Sequence, residues 1–325
     1  MQENLTSLQS HILNEEEKHP DASGDFSWIL SSLSLATKAI SAKVRAARVD
    51  DVLGDTKYGN VHGEKQQKLD LIANEILIEC LGTRHNVGIL ASEENEEPAI
   101  LRSSKEGGRY AILFDPLDGS SNLDFSVGVG TIFSIVRLEQ GYRKNPEKSI
   151  LQLGTNQAAA GYVIYGSSTV FVLTTGNGVD MFVLDANLGT YVLVQQNVKI
   201  PTGTKQYSIN EAYKNRFPKH INDYLEWAQN NNYSSRYIGS MVADVHRILL
   251  KGGVFLYPPT SDRPDGKLRL MYEGNPMAFV IEQAGGKAMS GSKRLLDEKP
   301  SGLHQRTDVL LGSSDQVDRV LSFMK

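Results

Sequence analysis

An apolar stretch of the sequence runs directly into two aspartates that are three residues apart. Residues 110–114 read YAILF, and residues 115–122 read DPLDGSSN. The apolar stretch predicts a buried strand, and Pro116, which has no N–H and a fixed φ, predicts that the strand ends there. The following turn would let Asp115 and Asp118 point into one place. Since Mg²⁺ prefers carboxylates together with water and substrate phosphate, the segment predicts a magnesium site.

The residues just after these aspartates suit a phosphate. The N–H groups of Gly119, Ser120 and Ser121 could cradle its oxygens at the turn. An Asp-Gly pair by itself is a common hairpin signal, so the alternative is an ordinary turn. The whole octapeptide after a buried strand is much less common than that pair, and it favours a site.

Acidic residues also follow two other predicted strands. Glu93 and Glu94 come after the apolar residues 88–91, and Glu273 closes the stretch 267–273. Sites in open α/β sheets form outside the carboxyl ends of strands, so these carboxylates are expected to join the first two. The alternatives are a solvated acidic loop for Glu93 and Glu94, and a helix-dipole partner for Glu273.

The stretch 267–273 reads KLRLMYE and is predicted to be a strand. Side chains two residues apart on a strand share a face, so Lys267, Arg269 and Glu273 would point the same way. Two cations and a carboxylate on one face fit a phosphate clamp beside a metal. A half-exposed strand with a polar outer face explains the pattern equally well.

Helices and strands alternate among the elements that must position these residues. Helices are predicted within residues 1–50 and from about Gln66 to Cys80, with a loop rich in Gly and Asp at 50–64. Short strands are predicted at 88–91, 110–114, 131–138, 161–165, 170–174, 181–184 and 191–194, the last two as a hairpin. Further helices are predicted at 240–251 and after Asn275-Pro276, where Asn suits the N-cap.

The mixture of helices and strands in both halves predicts an α/β protein in which helices pack on sheets. Pro201-Thr202-Gly203 is the best linker candidate, so we place a domain boundary between residues 1–200 and 201–325.

Bulk composition excludes several classes of protein. The chain has 325 residues and a formal charge of −4, whereas a nucleic-acid-binding protein would usually carry a basic excess. No apolar stretch approaches the roughly 20 residues of a membrane span. Cys80 is the only cysteine, which excludes an internal disulfide. Since no signal peptide is visible either, a cytoplasmic location is expected.

The octapeptide at 115–122 resembles the metal motif of the lithium-sensitive phosphatase superfamily. Longer segments resemble the class I fructose-1,6-bisphosphatases and follow the order of that family; they are GYVIYGSS (161–168), YSINEAY (207–213), SRYIGSMVADVHR (235–247), GKLRLMYEGNPMAF (266–279) and LHQR (303–306). The resemblance runs from about residue 20 to about residue 312. It implies a layered α-β-α-β-α sandwich, the sugar-phosphatase fold, which some schemes class as α+β.

The resemblance implies an activity and a role for each domain. The reaction would be hydrolysis of the 1-phosphate of fructose 1,6-bisphosphate by in-line attack of water, a step of gluconeogenesis. Residues 1–200 would form the allosteric and metal-motif domain, and 201–325 the sugar-phosphate-binding domain. The alternatives are a sedoheptulose-1,7-bisphosphatase or a dual activity, an inositol-phosphate phosphatase, and an inactive AMP-sensing subunit.

Two or more Mg²⁺ ions per subunit are implied, with Mn²⁺ as the alternative metal. Their ligands would be Glu93, Asp115, Asp118, Glu273 and the carbonyl of Leu117. Asp70 and Glu94 would position and deprotonate the attacking water. Glu64, where some members of the family carry Asp, would lie near an additional metal in the 50–64 loop.

The same resemblance implies two phosphate-binding ends. The 1-phosphate would lie at Asp118, Gly119, Ser120 and Ser121, and the 6-phosphate end at Asn210, Tyr213, Tyr237, Tyr257 and Lys267, with Arg269 close by. Arg236 would reach the 6-phosphate from a neighbouring subunit, which implies a homotetramer. Core or interface packing is the alternative for the three tyrosines.

Inhibition by AMP is a further implication of the resemblance. Its phosphate would bind at the N-terminus of the first long helix, where free N–H groups and the helix dipole favour an anion. The residues of this pocket would be Ser23, Gly24, Asp25, Ser27, Arg109, Tyr110 and Arg137. The alternative is an ordinary helix cap with solvated arginines.

Overall fold

The computed structural model describes residues 5–17, 24–59, 65–139 and 141–324. Within these ranges the chain forms eight α-helices, which are α1 (Leu8–Glu16), α2 (Asp25–Ala46), α3 (Lys68–Gly82), α4 (Pro146–Ile150), α5 (Lys219–Asn230), α6 (Met241–Lys251), α7 (Asn275–Gln283) and α8 (Ser314–Leu321). None of the helices in these ranges is both long and apolar enough to cross a membrane.

The same ranges contain eighteen strands. The first ten are β1 (Asp55–Gly59), β2 (Lys65–Gln67), β3 (Val87–Ser92), β4 (Ala99–Ile100), β5 (Tyr110–Asp118), β6 (Val129–Arg137), β7 (Gln157–Tyr165), β8 (Thr169–Thr174), β9 (Asp180–Asp185) and β10 (Thr190–Gln195). The remaining eight are β11 (Gln206–Ser208), β12 (Ser234–Ser235), β13 (Val254–Tyr257), β14 (Leu268–Arg269), β15 (Lys287–Ser290), β16 (Lys293–Arg294), β17 (Arg306–Thr307) and β18 (Val309–Gly312).

Two large sheets form the frame of the molecule. The eight-stranded sheet has the order β10-β9-β8-β7-β6-β5-β3-β4, and β3 and β5 are its one parallel pair among the described strands. The six-stranded sheet has the order β12-β11-β13-β18-β15-β16. The first sheet uses residues before 200 and the second uses residues after 200. The domain boundary itself stays a prediction.

Three hydrophobic clusters hold five layers together. Leu33 of α2 and Leu77 of α3 pack with Phe133 against one face of the eight-stranded sheet. The helices α6 and α7 lie between the two sheets and share a cluster with strands of both. Tyr224 of α5 and Val317 of α8 pack on the far face of the six-stranded sheet. The predicted α-β-α-β-α layering is therefore confirmed.

The strands predicted between 88 and 194 are all present, with bounds that differ by a few residues. The predicted hairpin is confirmed, because β9 and β10 pair in the antiparallel direction. The predicted loop at 50–64 is partly wrong, since Asp55–Gly59 forms β1 and pairs with β2. Asn275 is the first residue of α7 and not its N-cap, which is Gly274.

The predicted strand at 267–273 is wrong beyond its first residues. Only Leu268–Arg269 forms a strand, and Leu270–Gly274 forms a π-helical turn that leads into α7. The N–H of Arg269 donates to the Glu273 carboxylate at 2.6 Å, a contact across four residues that suits a helical turn. All five residues of this turn are buried, so no alternation between two faces exists there.

Gly130 allows α6 to approach the eight-stranded sheet closely. It lies on β6 opposite Asp118 of β5. A Cβ atom at this position would lie 2.3 Å from the Val163 carbonyl oxygen and 2.7 Å from Cγ1 of Val242 on α6. Since neither a strand backbone nor a packed helix can move freely in a dense interior, a glycine is required here.

We expect the Gly130→Ala substitution to lower the free energy of unfolding by about 1–3 kcal/mol, because the added methyl group overpacks the contact with α6. Urea unfolding followed by circular dichroism measures the change. Gly302→Ala is the matched control, since no atom lies within 4 Å of its added Cβ. Equal midpoints for the two variants would contradict the packing argument.

Candidate active site

The parallel pairing of β3 and β5 brings Glu93 next to Asp115. Ser92 lies opposite Phe114 in this pair, and the N–H of Glu93 continues the pairing by donating to the Phe114 carbonyl at 3.0 Å. Both carboxylates therefore leave the sheet at the same edge. Both side chains are buried, and they lie close enough for the Asp115 carboxyl group to influence the pKa of Glu93.

β5 does not end at Pro116, as the sequence predicted, but continues to Asp118 through an irregularity. Asp115 lies opposite Ile132 of β6 and Asp118 lies opposite Gly130, so three steps along β5 match two along β6. Pro116 has no N–H to give to a regular ladder, and a bulge accommodates that loss. Residues three apart on a regular strand would face opposite sides. The bulge instead lets both aspartates contribute to one cluster.

A hydroxyl and a helix N-terminus hold the carboxylate of Asp118. Its Oδ2 accepts hydrogen bonds from the Ser240 hydroxyl at 2.9 Å and from the N–H of Val242 at 2.8 Å. Ser240 precedes α6, and its hydroxyl bonds Asp118 instead of capping the helix. Because a helix N-terminus favours negative charge, α6 stabilises the ionised aspartate. No local pattern in the sequence marks Ser240 as part of the site.

Glu273 reaches the cluster through the π-helical turn. A carboxylate oxygen from each of Asp115, Asp118 and Glu273 lies within 4.8 Å of the other two. The guanidinium of Arg269 forms a salt bridge with Glu93, with 2.8 Å between Nη1 and Oε1, and both side chains are almost fully buried. The structure thus places Arg269 beside the carboxylates. Its expected position close to the 6-phosphate end of the substrate stays a prediction.

Burial and mutual repulsion raise the pKa of three of these carboxyl groups, those of Glu93, Asp115 and Asp118. Desolvation first and the charge of Glu273 second raise the pKa of Glu93 to about 8 and that of Asp118 to about 7. Desolvation and the charges of Glu93 and Asp118 hold the pKa of Asp115 well above its usual range. Four buried acidic groups with one arginine among them fit a divalent cation, which would supply the missing positive charge through hard oxygen donors.

Asp70 and Glu94 lie together at the border of this cluster. Asp70 is in the first turn of α3, and its Oδ2 accepts the N–H of Gln67 at 2.8 Å. Burial is the main cause that raises the pKa of Asp70 to about 7, and the nearby charge of Glu94 adds to it. A hydrogen bond from Ser120 acts in the opposite direction. Glu64 lies outside the described residues.

The turn after Asp118 is shaped by Gly119. Its φ is +75°, and a Cβ atom there would lie 2.6 Å from Cβ of Ser240. Only glycine combines this backbone conformation with such close contact. Ser120 and Ser121 begin the short 3₁₀ helix Ser120–Phe125 directly after the turn. Their contact with a phosphate stays a prediction.

A separate cavity of about 120 Å³ contains four of the residues predicted for the 6-phosphate end, which are Asn210, Tyr213, Tyr257 and Lys267. Tyr237 lies near this group, since Tyr257, Tyr213 and Asn210 all influence the pKa of its hydroxyl. Burial raises the pKa of Tyr257 to about 12, so its hydroxyl keeps its proton. Arg236 is exposed, and its guanidinium donates to the carbonyl of Ser235 at 2.7 Å.

Two arginines that line the cavity were not predicted from the sequence. Arg216 and Arg263 line it together with Lys267. Arg216 ends a short 3₁₀ helix and Arg263 lies in a turn, so neither position carries a periodic signal and only the fold shows that they meet.

Part of the predicted AMP pocket comes together near the start of α2. Arg137 lies over the ring of Tyr110 at 5.8 Å, and Phe26 approaches the same ring at 5.9 Å. Gly24 precedes α2 with a φ of 72°. The hydroxyl of Ser27 donates to Glu16 of α1 at 2.5 Å.

The structure gives less information on three other residues of the predicted AMP pocket. Ser23 and the side chain of Asp25 lie outside what the structure describes. Arg109 is exposed and precedes Tyr110 at the start of β5.

We expect the unfolding temperature of the metal-free protein to fall between pH 5 and pH 9. Asp118 and Glu93 have pKa values of about 7 and about 8 in the folded protein, against ordinary values of 3.8 and 4.5. The folded state therefore binds more protons than the unfolded state in this window, and its stability is lost as the pH rises through the folded pKa values.

Calorimetric scans with a chelator and with excess Mg²⁺ measure this effect. Mg²⁺ should raise the unfolding temperature more at pH 8.5 than at pH 5.5, because cation binding requires ionised carboxylates. Asp118→Asn removes one of the carboxylates and should reduce the Mg²⁺ effect. Asp124→Asn, an exposed position on the 3₁₀ helix Ser120–Phe125, is the matched control. An identical Mg²⁺ effect at both pH values would contradict the assignment.

Comparison with known proteins bears on these observations. Residues 6–196 match the family of the fructose-1-6-bisphosphatase N-terminal domain, and residues 200–325 match that of its C-terminal domain. A protein of Chlorobium phaeovibrioides named fructose-1,6-bisphosphatase class 1 is 48% identical over 320 residues, which cover 96% of each chain. A protein of the same name from Chlorobium chlorochromatii is 47% identical and covers 97% of this chain and 96% of that protein.

Solved structures agree with the sequence relatives. Leishmania major fructose-1,6-bisphosphatase in its holo form is 39% identical, with a TM-score of 0.94 over 99% of both chains. The structure of the same Leishmania enzyme in its T-state is 38% identical, with a TM-score of 0.89 over 99% of both chains. These matches confirm the family and the fold that the sequence motifs predicted. The chain belongs to the class 1 fructose-1,6-bisphosphatase family of hydrolases.

Proposed function

We propose that this protein hydrolyses the 1-phosphate of fructose 1,6-bisphosphate to give fructose 6-phosphate and inorganic phosphate. The convergence of four buried carboxyl groups, those of Glu93, Asp115, Asp118 and Glu273, carries the proposal. An inactive AMP-sensing subunit would have no need to keep such a cluster, which lowers stability above neutral pH. Membership of the family supports the choice of substrate and a place in gluconeogenesis in the cytoplasm.

The four carboxylates would hold Mg²⁺, with the Leu117 carbonyl as a further ligand and with two or more ions per subunit. Mn²⁺, which also takes oxygen ligands, is the alternative. When bound, the metal would neutralise charge on the reacting phosphate and on the leaving-group oxygen. Arg269 keeps Glu93 in place through their buried salt bridge, and α6 does the same for Asp118.

Asp70 and Glu94 would position the attacking water and take its proton. With a pKa raised to about 7, mainly by burial, Asp70 is a stronger base than an ordinary aspartate and is still partly ionised at neutral pH. Its bond from the N–H of Gln67 fixes one carboxylate oxygen. Ser120 influences the pKa of Asp70, so Asp70 lies beside the turn proposed to hold the 1-phosphate.

The cavity around Tyr213 and Lys267 would bind the phosphate that does not react. Contacts made away from the reacting bond orient the substrate and lower the entropic cost of reaching the transition state. The N–H groups at Gly119, Ser120 and Ser121 would hold the 1-phosphate. Substrate would thus be held at both ends, with the reacting phosphate against the carboxylate cluster.

A panel of three substrates tests the proposed activity. With Mg²⁺ present, phosphate release from fructose 1,6-bisphosphate should exceed release from inositol 1-phosphate by at least about a hundredfold in kcat/KM, because inositol 1-phosphate cannot fill the second phosphate site. Comparable rates on the two would contradict the proposal. Sedoheptulose 1,7-bisphosphate in the same panel decides between a single and a dual activity, and a faster rate on it would reassign the substrate.

AMP is proposed to inhibit the enzyme by binding near the start of α2. The contacts among Phe26, Tyr110 and Arg137 support this proposal, since they offer an aromatic surface and a cation beside a helix N-terminus. We also propose a homotetramer in which Arg236 reaches the neighbouring subunit's site. The molecular mass of the protein in solution tests the number of subunits.

We expect Arg137→Ala to raise the AMP concentration for half-inhibition by about tenfold, the typical worth of one charge-assisted hydrogen bond to phosphate. Lys105→Ala removes an exposed cation elsewhere and serves as the matched control. Rates of the wild-type enzyme that do not change with added AMP would remove the regulatory proposal.

A further inference from the structure

The cavity at Tyr213 and Lys267 carries more positive charge than the predicted substrate contacts require. Arg216 ends the short helix Glu211–Arg216, and Arg263 lies on the segment between β13 and β14. Three cations therefore line the cavity together with one acidic residue, Asp262. Such a balance suits a ligand with a double negative charge.

Arg216 joins the segment after β13 to the helix that carries Tyr213. Its guanidinium lies 4.3 Å from the centre of the Tyr213 ring and 2.9 Å from Oδ2 of Asp262. Its carbonyl accepts the N–H of Ser261 at 3.0 Å. Arg216 is therefore occupied within the protein, and its contacts fix both the tyrosine ring and the neighbouring segment.

The backbone around Arg263 is fixed in a tight turn. Thr260 and Arg263 exchange two backbone hydrogen bonds, of 3.1 and 2.9 Å. The carbonyl of Arg263 also accepts the N–H of Gly266 at 3.1 Å. Gly266 has a φ of +84°, and a Cβ atom on it would lie 2.2 Å from the Thr307 carbonyl oxygen, so the end of the turn is closely packed.

The side chain of Arg263 differs from that of Arg216 in having no acidic partner. No carboxylate of the described residues forms a salt bridge with it, although Asp262 is its neighbour and Asp265 lies two residues away. Its charge acts on Tyr257 in the cavity, where it lowers the pKa of the hydroxyl against the larger effect of burial. A guanidinium on a fixed backbone is thus available to a ligand in this cavity.

We propose that Arg263 binds the non-reacting phosphate of the substrate from within the same chain, while Arg216 positions Tyr213 and the turn that carries Arg263. This inference rests on the proposed function. If Arg263 binds the non-reacting phosphate (the distal phosphate), this phosphate site depends only partly on the neighbouring subunit. A guanidinium of the same chain then contacts the phosphate in addition to that of Arg236.

Steady-state kinetics of Arg263→Ala on two substrates test the inference. With fructose 1,6-bisphosphate, KM should rise about tenfold with little change in kcat, as expected for loss of one charge-assisted contact made equally in ground and transition states. With fructose 1-phosphate, which lacks the distal phosphate, the kinetics should match those of the wild type. Arg263→Lys should recover part of the loss.

Lys214→Ala is the matched control, because Lys214 is an exposed cation on the same short helix as Tyr213 and does not line the cavity. An unchanged KM in Arg263→Ala, or an equal loss on both substrates, would overturn the proposal for Arg263. Arg216→Ala should raise KM for the bisphosphate and should change the intensity of tyrosine fluorescence, because the guanidinium no longer contacts the Tyr213 ring. A wild-type KM in Arg216→Ala would overturn the positioning role of Arg216.

A binding experiment separates this inference from the proposed activity. Titration calorimetry of fructose 6-phosphate should give a Kd about tenfold higher for Arg263→Ala than for the wild type. If the wild type failed to hydrolyse fructose 1,6-bisphosphate yet showed this difference, the activity would be wrong and the phosphate site right. Equal Kd values for the two proteins would overturn the site, whatever the activity.

Discussion

Repulsion among four buried acidic groups is the constraint around which this structure is organised. Glu93, Asp115, Asp118 and Glu273 come from three separate stretches of the chain and meet where little water can screen them. Such a cluster costs stability whenever its members ionise together, and Arg269 offsets only part of that charge. The fold keeps the groups in place by backbone pairing, by a strand irregularity and by the N-terminus of α6.

One short segment links the two ends of the proposed substrate site. Lys267 lines the cavity proposed for the non-reacting phosphate, and Glu273, six residues later, belongs to the carboxylate cluster. The π-helical turn between them compacts the chain, so that the two sites are closer than an extended strand would place them. Arg216 and Arg263 extend the cavity end of this arrangement.

The sequence predicted those elements and residues that a local pattern indicates. The apolar stretch before Asp115 was sufficient for the strand, whereas the family required the longer segments between residues 161 and 306. Local patterns indicated α2, α3, α6 and α7 but not α5 or α8. The sequence did not reveal that Pro116 is accommodated by a bulge, or that Ser240 binds Asp118, because both depend on residues far away in the chain. The alternation at 267–273 was misleading, since burial on all sides removes the distinction between two faces that a strand prediction uses.

Anomalous diffraction from crystals soaked in Mn²⁺ tests the central claim most directly. A divalent cation should appear among the side-chain oxygens of Glu93, Asp115, Asp118 and Glu273, at the roughly 2.0–2.2 Å typical of small oxygen-bound cations. The peak should be lost in crystals of Asp118→Asn and retained in those of Asp124→Asn. Fully active enzyme whose crystals show no anomalous peak at the four carboxylates would contradict the account.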